Sequence, residues 1–176
     1  MPIELVFETH ATTEDNERGI ATGWLPGRLS ADGREQARAL GRRRVHDEVA
    51  IVFTSDLARA VETVGIAFGE PDVPVLHDWR LRECNYGALN GAPVAALARE
   101  DHHEVPYPGG ESWADAVRRV GRFLADLESG WPSHRVLVVG HTATRWAFDH
   151  LLDGAPLPSL LREPFAWRPG WEYRIG

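Results

Sequence analysis

Apolar residues along this chain fall into short runs of four to seven, separated by stretches in which they recur at helical spacing. The run over residues 4–10 predicts a buried strand that ends on His10, followed by a hydroxyl-rich loop over residues 11–16. Residues 30–46 have helical composition, with Ala37, Leu40 and Val45 at roughly helical spacing and Ser30 as N-cap. The β-branched run over residues 49–54 predicts a central strand. Ser55 and Asp56 then read as the cap of a helix reaching about Phe68. A weaker strand over residues 73–76 belongs at a sheet edge, because Pro74 cannot donate to a ladder.

From residue 85 to 110 the pattern breaks up. Glycines and Pro93, Pro106 and Pro108 surround one short helix near residues 94–100, as in a cap or lid. Helical spacing returns over residues 111–127, with Trp113, Val117, Val120 and Leu124 on one stripe. Residues 135–140 are the most strand-like of all and lead through His141 into a helix over residues 142–152. The end, residues 165–175, alternates about Pro169-Gly170 and predicts a hairpin or edge strands.

Strands alternating with helices imply an α/β fold, a three-layer sandwich whose mostly parallel central sheet carries helices on both faces. A single domain over residues 1–176, with a small cap insertion at about residues 85–115, accounts for the whole pattern. Ligands of such folds gather at the carboxyl ends of the strands. His10, Ser55 with Arg59 one turn beyond, and His141 fall at three such ends.

Charge and composition narrow the partners. A net charge of −7 argues against nucleic acid or an anionic membrane as the general partner, leaving a local basic pocket for a small anion. The first residues lack the basic flank and apolar core of a signal peptide, and no run approaches a membrane span, so a cytoplasmic location is expected. The single cysteine, Cys84, makes no internal disulfide and fits a reducing compartment as a passive thiol. Adjacent His102 and His103 point different ways and lack partners at ligand spacing, which predicts a polar loop and no metal site. No cofactor is implied. Trp24, Trp113 and Trp146 are candidates to line a pocket, and the terminal Trp167, Trp171 and Tyr173 offer either an exposed face for an oligomer or edge packing.

A phosphoryl group placed between the three strand ends would find suitable chemistry. An imidazole can attack phosphorus and hold it when its other nitrogen is fixed by a hydrogen bond. Arg59 is a planar cation suited to phosphate, and His141 can donate near a helix N-terminus that favours anions. Glu83 opens the cap, where burial would raise its pKa enough to hold a proton for the leaving alcohol. Each residue also has an ordinary role: strand-end or core histidines, a surface arginine, a solvated carboxylate, a turn asparagine at Asn16, an N-cap at Ser55.

In company these residues resemble the histidine phosphatase superfamily, the branch with phosphoglycerate mutases and small phosphatases. The likeness runs from residue 3 to about 150 through His10 and Asn16, Gly19 with Gly23-Trp24, residues 29–33 with Gln36-Ala37, residues 55–60 with Thr63, residues 81–91, residues 108–112 and residues 138–141. It implies His10 as phospho-accepting nucleophile, Glu83 as acid and then base, Arg59 and His141 as phosphate ligands, and Asn16 as a pocket residue. The family pattern has an arginine before the histidine, where this chain has Thr9. Loss of one charge-assisted hydrogen bond is worth about 1.5–3 kcal/mol, roughly ten- to more than a hundredfold. Thr9 and Thr12, Arg82 beside the acid, and Arg145 four residues after His141 are the candidates to compensate. Glu8, two residues before His10, would share its side of the strand.

The expected function is hydrolysis of a small phosphorylated metabolite through a phosphohistidine, weakened by the missing arginine. A brief cap and the end at Gly176, without the long tail by which resembling mutases shield phosphohistidine, favour hydrolysis over a mutase. The Thr9 change motivates two other readings: a domain that binds an anionic ligand without turnover, and acid-base chemistry by His10 and Glu83 on a substrate without phosphate.

Overall fold

The computed structural model describes residues 2–70 and 72–176; Met1 and Pro71 lie outside them. In chain order the elements are β1 (Ile3–Thr9), α1 (Glu14–Glu17), β2 (Ile20–Ala21), α2 (Ala31–Arg44), β3 (Ile51–Thr54), α3 (Ala58–Phe68), β4 (Val75–His77), β5 (Ala92–Pro93), α4 (Trp113–Gly130), β6 (Arg135–Gly140), α5 (Thr142–Leu151), α6 (Leu157–Arg162) and β7 (Trp171–Ile175).

Five strands form one sheet in the order β4-β3-β6-β1-β7, parallel except for β7, which runs antiparallel to β1 at an edge. Alternation along the strands divides the core. Leu5 and Phe7 face the main cluster, with Val117, Val120, Phe123 and Leu124 of α4 and Ala143, Trp146 and Ala147 of α5. Val6 and Val52 face the other way, onto Val64 and Phe68 of α3. Helix α2 packs beside α3 on that second face. Three layers result, as the alternation of strand and helix predicts.

Register sets the position of the site. Thr9 stands opposite Gly140, and Thr54 opposite both Val139 and His77, so β1, β6, β3 and β4 end together. The His10 N–H donates to Gly140 O at 2.9 Å and the Ser55 N–H to Val139 O at 3.1 Å, carrying the ladder one residue past the strands. His10, Ser55 and His141 therefore leave the sheet at a common edge.

Several local expectations change. The cap of α3 is Leu57 rather than Ser55: the Ser55 hydroxyl accepts from the Leu57 N–H at 3.2 Å, bracing the turn that precedes the helix. The short cap helix is two 3-10 turns, Val94–Ala96 and Arg99–His102. Only Trp171–Ile175 of the terminal segment is strand, and Trp171 and Tyr173 are buried against the core, leaving Trp167 as the exposed aromatic of the three. No described helix is long and apolar enough to cross a membrane.

Candidate active site

At the carboxyl edge of the sheet lies a cavity of about 700 Å³. Thr9, His10, Asn16, Arg59, Glu83 and His141 all line it. The sequence separates them by up to 132 positions; the shared strand ends bring them together.

His10 is held in one tautomer. Its Nδ1 lies 2.7 Å from Ala11 O, and because a carbonyl only accepts, Nδ1 carries the proton and Nε2 keeps its lone pair. The Ala11 peptide is fixed in turn, its N–H donating to Thr63 Oγ1 at 3.0 Å while that hydroxyl donates to Arg59 O at 2.7 Å. Burial, followed by the nearby Arg59 charge, lowers the His10 pKa to about 3. The ring is neutral at physiological pH, as a nucleophile requires.

His141 is fully buried, its ring centroid 5.0 Å from that of His10, and neither ring nitrogen has a hydrogen-bond partner among the described residues. Its backbone N–H donates to Thr144 Oγ1 at 3.1 Å. Gly140 makes that approach feasible, since a Cβ there would stand 2.6 Å from the same oxygen. Burial, then Arg59 and His10, push the His141 pKa well below its ordinary value.

Arg59, in the first turn of α3, is 3% exposed, yet no carboxylate pairs with it among the described residues. Its two terminal nitrogens donate to Gly23 O at 2.8 Å and Leu25 O at 3.3 Å, orienting the guanidinium and leaving N–H groups over for a ligand.

Glu83 is nearly buried. Its Oε1 accepts from the Cys84 and Ala143 N–H groups at 2.9 and 3.1 Å, while Oε2 makes no hydrogen bond among the described residues. Burial raises its pKa against those two donors and the charges of Arg59 and Arg119. Oε2 is thus the atom to hold a proton. The carbonyl of Glu83 accepts from Trp24 Nε1 at 2.7 Å and from Arg119 at 3.3 Å, and Arg119 also holds the carbonyls of Arg80 and Arg82 while pairing with Glu111. Trp24 and Arg119 are positioning residues for the acid. Arg119 escapes a sequence reading because its helix gives no sign of which face meets residues 80–83.

Thr9 Oγ1 is buried, unpartnered and on the cavity wall. Asn16 Oδ1 accepts from the Thr13 N–H at 3.0 Å, so its amide nitrogen remains as a donor. Gln36 also lines the cavity. Its Oε1 accepts from both the N–H and the hydroxyl of Thr12, at 3.0 and 2.9 Å. Helix α2 reaches this loop because Gly33 lacks a Cβ, which would meet Thr12 O at 1.9 Å.

A family model described as the histidine phosphatase superfamily, branch 1, matches residues 5–166. The chain belongs to that superfamily. It is 35% identical over 167 residues to a 2,3-bisphosphoglycerate-dependent phosphoglycerate mutase of Methylobacterium sp., covering 85% of this chain and 80% of the relative. Among solved structures, Bacillus stearothermophilus YhfR superposes with a TM-score of 0.82 at 25% identity, over 95% of this chain and 88% of that one. Mycobacterial glucosyl-3-phosphoglycerate phosphatase, solved with VO3, gives 0.80 at 27%, over 92% and 85%. The chain is accordingly an enzyme of the histidine phosphatase type, built for phosphoryl transfer through histidine.

In this histidine phosphatase two expected pocket groups, Arg82 and Arg145, point elsewhere, and so does Glu8. Arg82 makes a bidentate pair with Asp56, both contacts 2.6 Å, and covers the Trp24 ring at 4.5 Å. Arg145 pairs with Asp149 at 3.1 Å and lies 4.8 Å over Trp171. Neither lines the cavity. Glu8, 1% exposed, is neutralised by Arg43 and Arg44 of α2 at 3.0 and 2.8 Å, away from His10. Of the tryptophans, Trp113 lines the cavity and so does Trp167, whose sequence context predicts an oligomer face or edge packing. His102 bonds Val105 O and stacks on Tyr107, and among the described residues no His, Cys, Asp and Glu cluster suits a metal. Cys84 is buried, and desolvation pushes its thiol pKa up, so it stays protonated.

Proposed function

We propose that this protein hydrolyses phosphate monoesters of small metabolites through a phosphohistidine at His10. His10 Nε2 attacks phosphorus in line as the bond to the ester oxygen breaks, and Glu83 Oε2 gives its proton to the departing alkoxide. The Nδ1–H bonded to Ala11 O spreads the positive charge gained by the ring. Arg59 and His141, with the Asn16 amide and the Thr9 hydroxyl, meet the charge on the phosphoryl oxygens. Glu83, now a carboxylate, takes a proton from water; that water attacks phosphorus, the N–P bond breaks, and inorganic phosphate leaves with both residues restored.

The observation that carries this reading is the pair of buried, unpartnered His141 nitrogens beside a His10 whose tautomer is fixed. Buried polar atoms without partners are costly, and a phosphoryl oxygen in the cavity would accept from the His141 nitrogen that carries the proton. Likeness to solved phosphatases and to phosphoglycerate mutases over most of the chain supports phosphoryl transfer through histidine. The expected result is release of phosphate from an aryl phosphate at acidic pH, insensitive to chelator and lost in His10→Ala. Absence of His10-dependent turnover across a broad ester panel refutes it. Thr9, with one hydroxyl where the family pattern has a guanidinium, supports slow turnover.

A further inference from the structure

The proposed mechanism leaves one cavity guanidinium unused. Arg99 begins the 3-10 turn Arg99–His102 of the cap and lines the same cavity as His10 and Arg59. It is half-buried, with its guanidinium carbon 5.1 Å from the centre of the Trp146 ring. Among the described residues no carboxylate stands within ion-pair distance of it, in a chain with 26 acidic and 19 basic residues. Glu100, its neighbour, pairs instead with Arg162 of α6.

The backbone before it is also unusual. Ala98 adopts φ +42° and ψ +52°, a left-handed conformation that a residue with a Cβ keeps only where surrounding structure imposes it. The turn that sets Arg99 on the cavity is therefore held against local preference. A partly desolvated guanidinium without a counter-ion is ready for an anion, and its planar fork suits a carboxylate. The nearby walls are apolar: Val94 and Leu97 of the cap, and Phe165 and Trp167 of the segment between α6 and β7. Val94, Phe165 and Trp167 are among the large exposed apolar side chains, 45–57% accessible, and a flat apolar ligand would cover them.

On the reading that the His10 end holds phosphate, we propose that Arg99 binds a carboxylate borne on a flat apolar body, making this enzyme selective for phosphate monoesters of aromatic or similarly apolar hydroxy acids. Arg99 is then a specificity residue, remote from the bonds that break.

Calorimetric binding of two inert analogues, benzylphosphonate and 4-carboxybenzylphosphonate, tests this in the wild-type protein. The carboxylated ligand is expected to bind about tenfold or more tightly, the worth of one charge-assisted hydrogen bond. In Arg99→Gln that preference falls to within about twofold, and in Arg99→Lys it is intermediate, since a point charge replaces the fork. A wild-type protein that binds both alike, or a preference that survives in Arg99→Gln, overturns the role of Arg99 while leaving the phosphate site standing. Failure to bind either phosphonate overturns the phosphate reading and this inference together.

Discussion

The imidazole of His141 lies 5.0 Å from that of His10, centroid to centroid, with 53° between the ring planes and both of its nitrogens buried without a partner. Folding places a group there that costs stability, about 1–3 kcal/mol for an unsatisfied buried polar atom, and regains it only when a ligand arrives. His141→Leu should therefore separate stability from activity. Turnover of an aryl phosphate should fall at least about a hundredfold, the usual loss on removing a charge-stabilising donor. The melting temperature should stay level or rise by a few degrees. A large fall in melting temperature would mean that His141 supports the fold.

Protonation states give the pH profile its shape. His10 must be neutral to attack, and its pKa of about 3 keeps it so down to strongly acidic solution. Glu83 must be protonated to act as acid, and its raised pKa extends that form above the ordinary carboxylate range. The value of kcat/KM should therefore fall below about pH 3 and also fall as pH rises through the elevated Glu83 value, placing the optimum on the acid side. Glu83→Gln should reduce turnover by about 10²–10⁴ and remove the descending limb. A descending limb that persists in this variant would assign the acid to another residue.

Stability should depend on pH in the opposite sense. His141 is neutral in the folded protein because burial and the Arg59 charge lower its pKa, whereas unfolded histidine binds a proton near pH 6.5. The unfolded chain thus binds the extra proton as pH falls below that value, and stability drops by up to about 1.4 kcal/mol per pH unit for this residue. Urea denaturation of the wild type and His141→Leu between pH 7 and pH 5 should show the shallower slope in the variant. Equal slopes would mean that His141 is charged in the folded state.

Thr9 decides how strongly the site grips phosphate. Its hydroxyl is buried and unpartnered on the cavity wall, where the family pattern has a guanidinium. Thr9→Arg should raise kcat/KM about tenfold or more, the worth of one charge-assisted bond. Unchanged or lower activity in a variant that melts like the wild type would show a pocket rebuilt around the threonine.

Sequence reasoning located the sheet edge because apolar runs of defined length end on His10, Thr54 and Gly140, and parallel register aligns those ends. It could not follow side chains where the backbone turns. Arg145 seemed to share a face with His141 four residues earlier, but His141 is the N-cap, with extended φ −129° and ψ 178°, so helical periodicity does not reach it. Arg82, also extended at φ −59° and ψ 158°, points away from its neighbour Glu83, as successive extended residues do. Glu8 was misplaced for a related reason: His10 lies beyond the strand, where alternation no longer applies. Gln36 lies in one of the family-like segments, beside Ala37, and that segment points to it. Arg99 and Trp167 gave no local signal; their position over the cavity depends on how the cap and the segment after α6 fold back.

Arg145 makes the difference between these two levels measurable. Its guanidinium ties α5 to β7, pairing with Asp149, which also accepts from Tyr173 Oη at 2.6 Å, and lying over Trp171. Both partners are mostly buried, so removing the guanidinium leaves the Asp149 carboxylate uncompensated and costs about 3 kcal/mol. Arg145→Ala should lower stability by that amount and leave kcat/KM within about threefold, since no atom of the site depends on it. If instead the variant keeps its melting temperature and loses tenfold or more in kcat/KM, Arg145 reaches the substrate in the working enzyme and the compensation first expected of it is real.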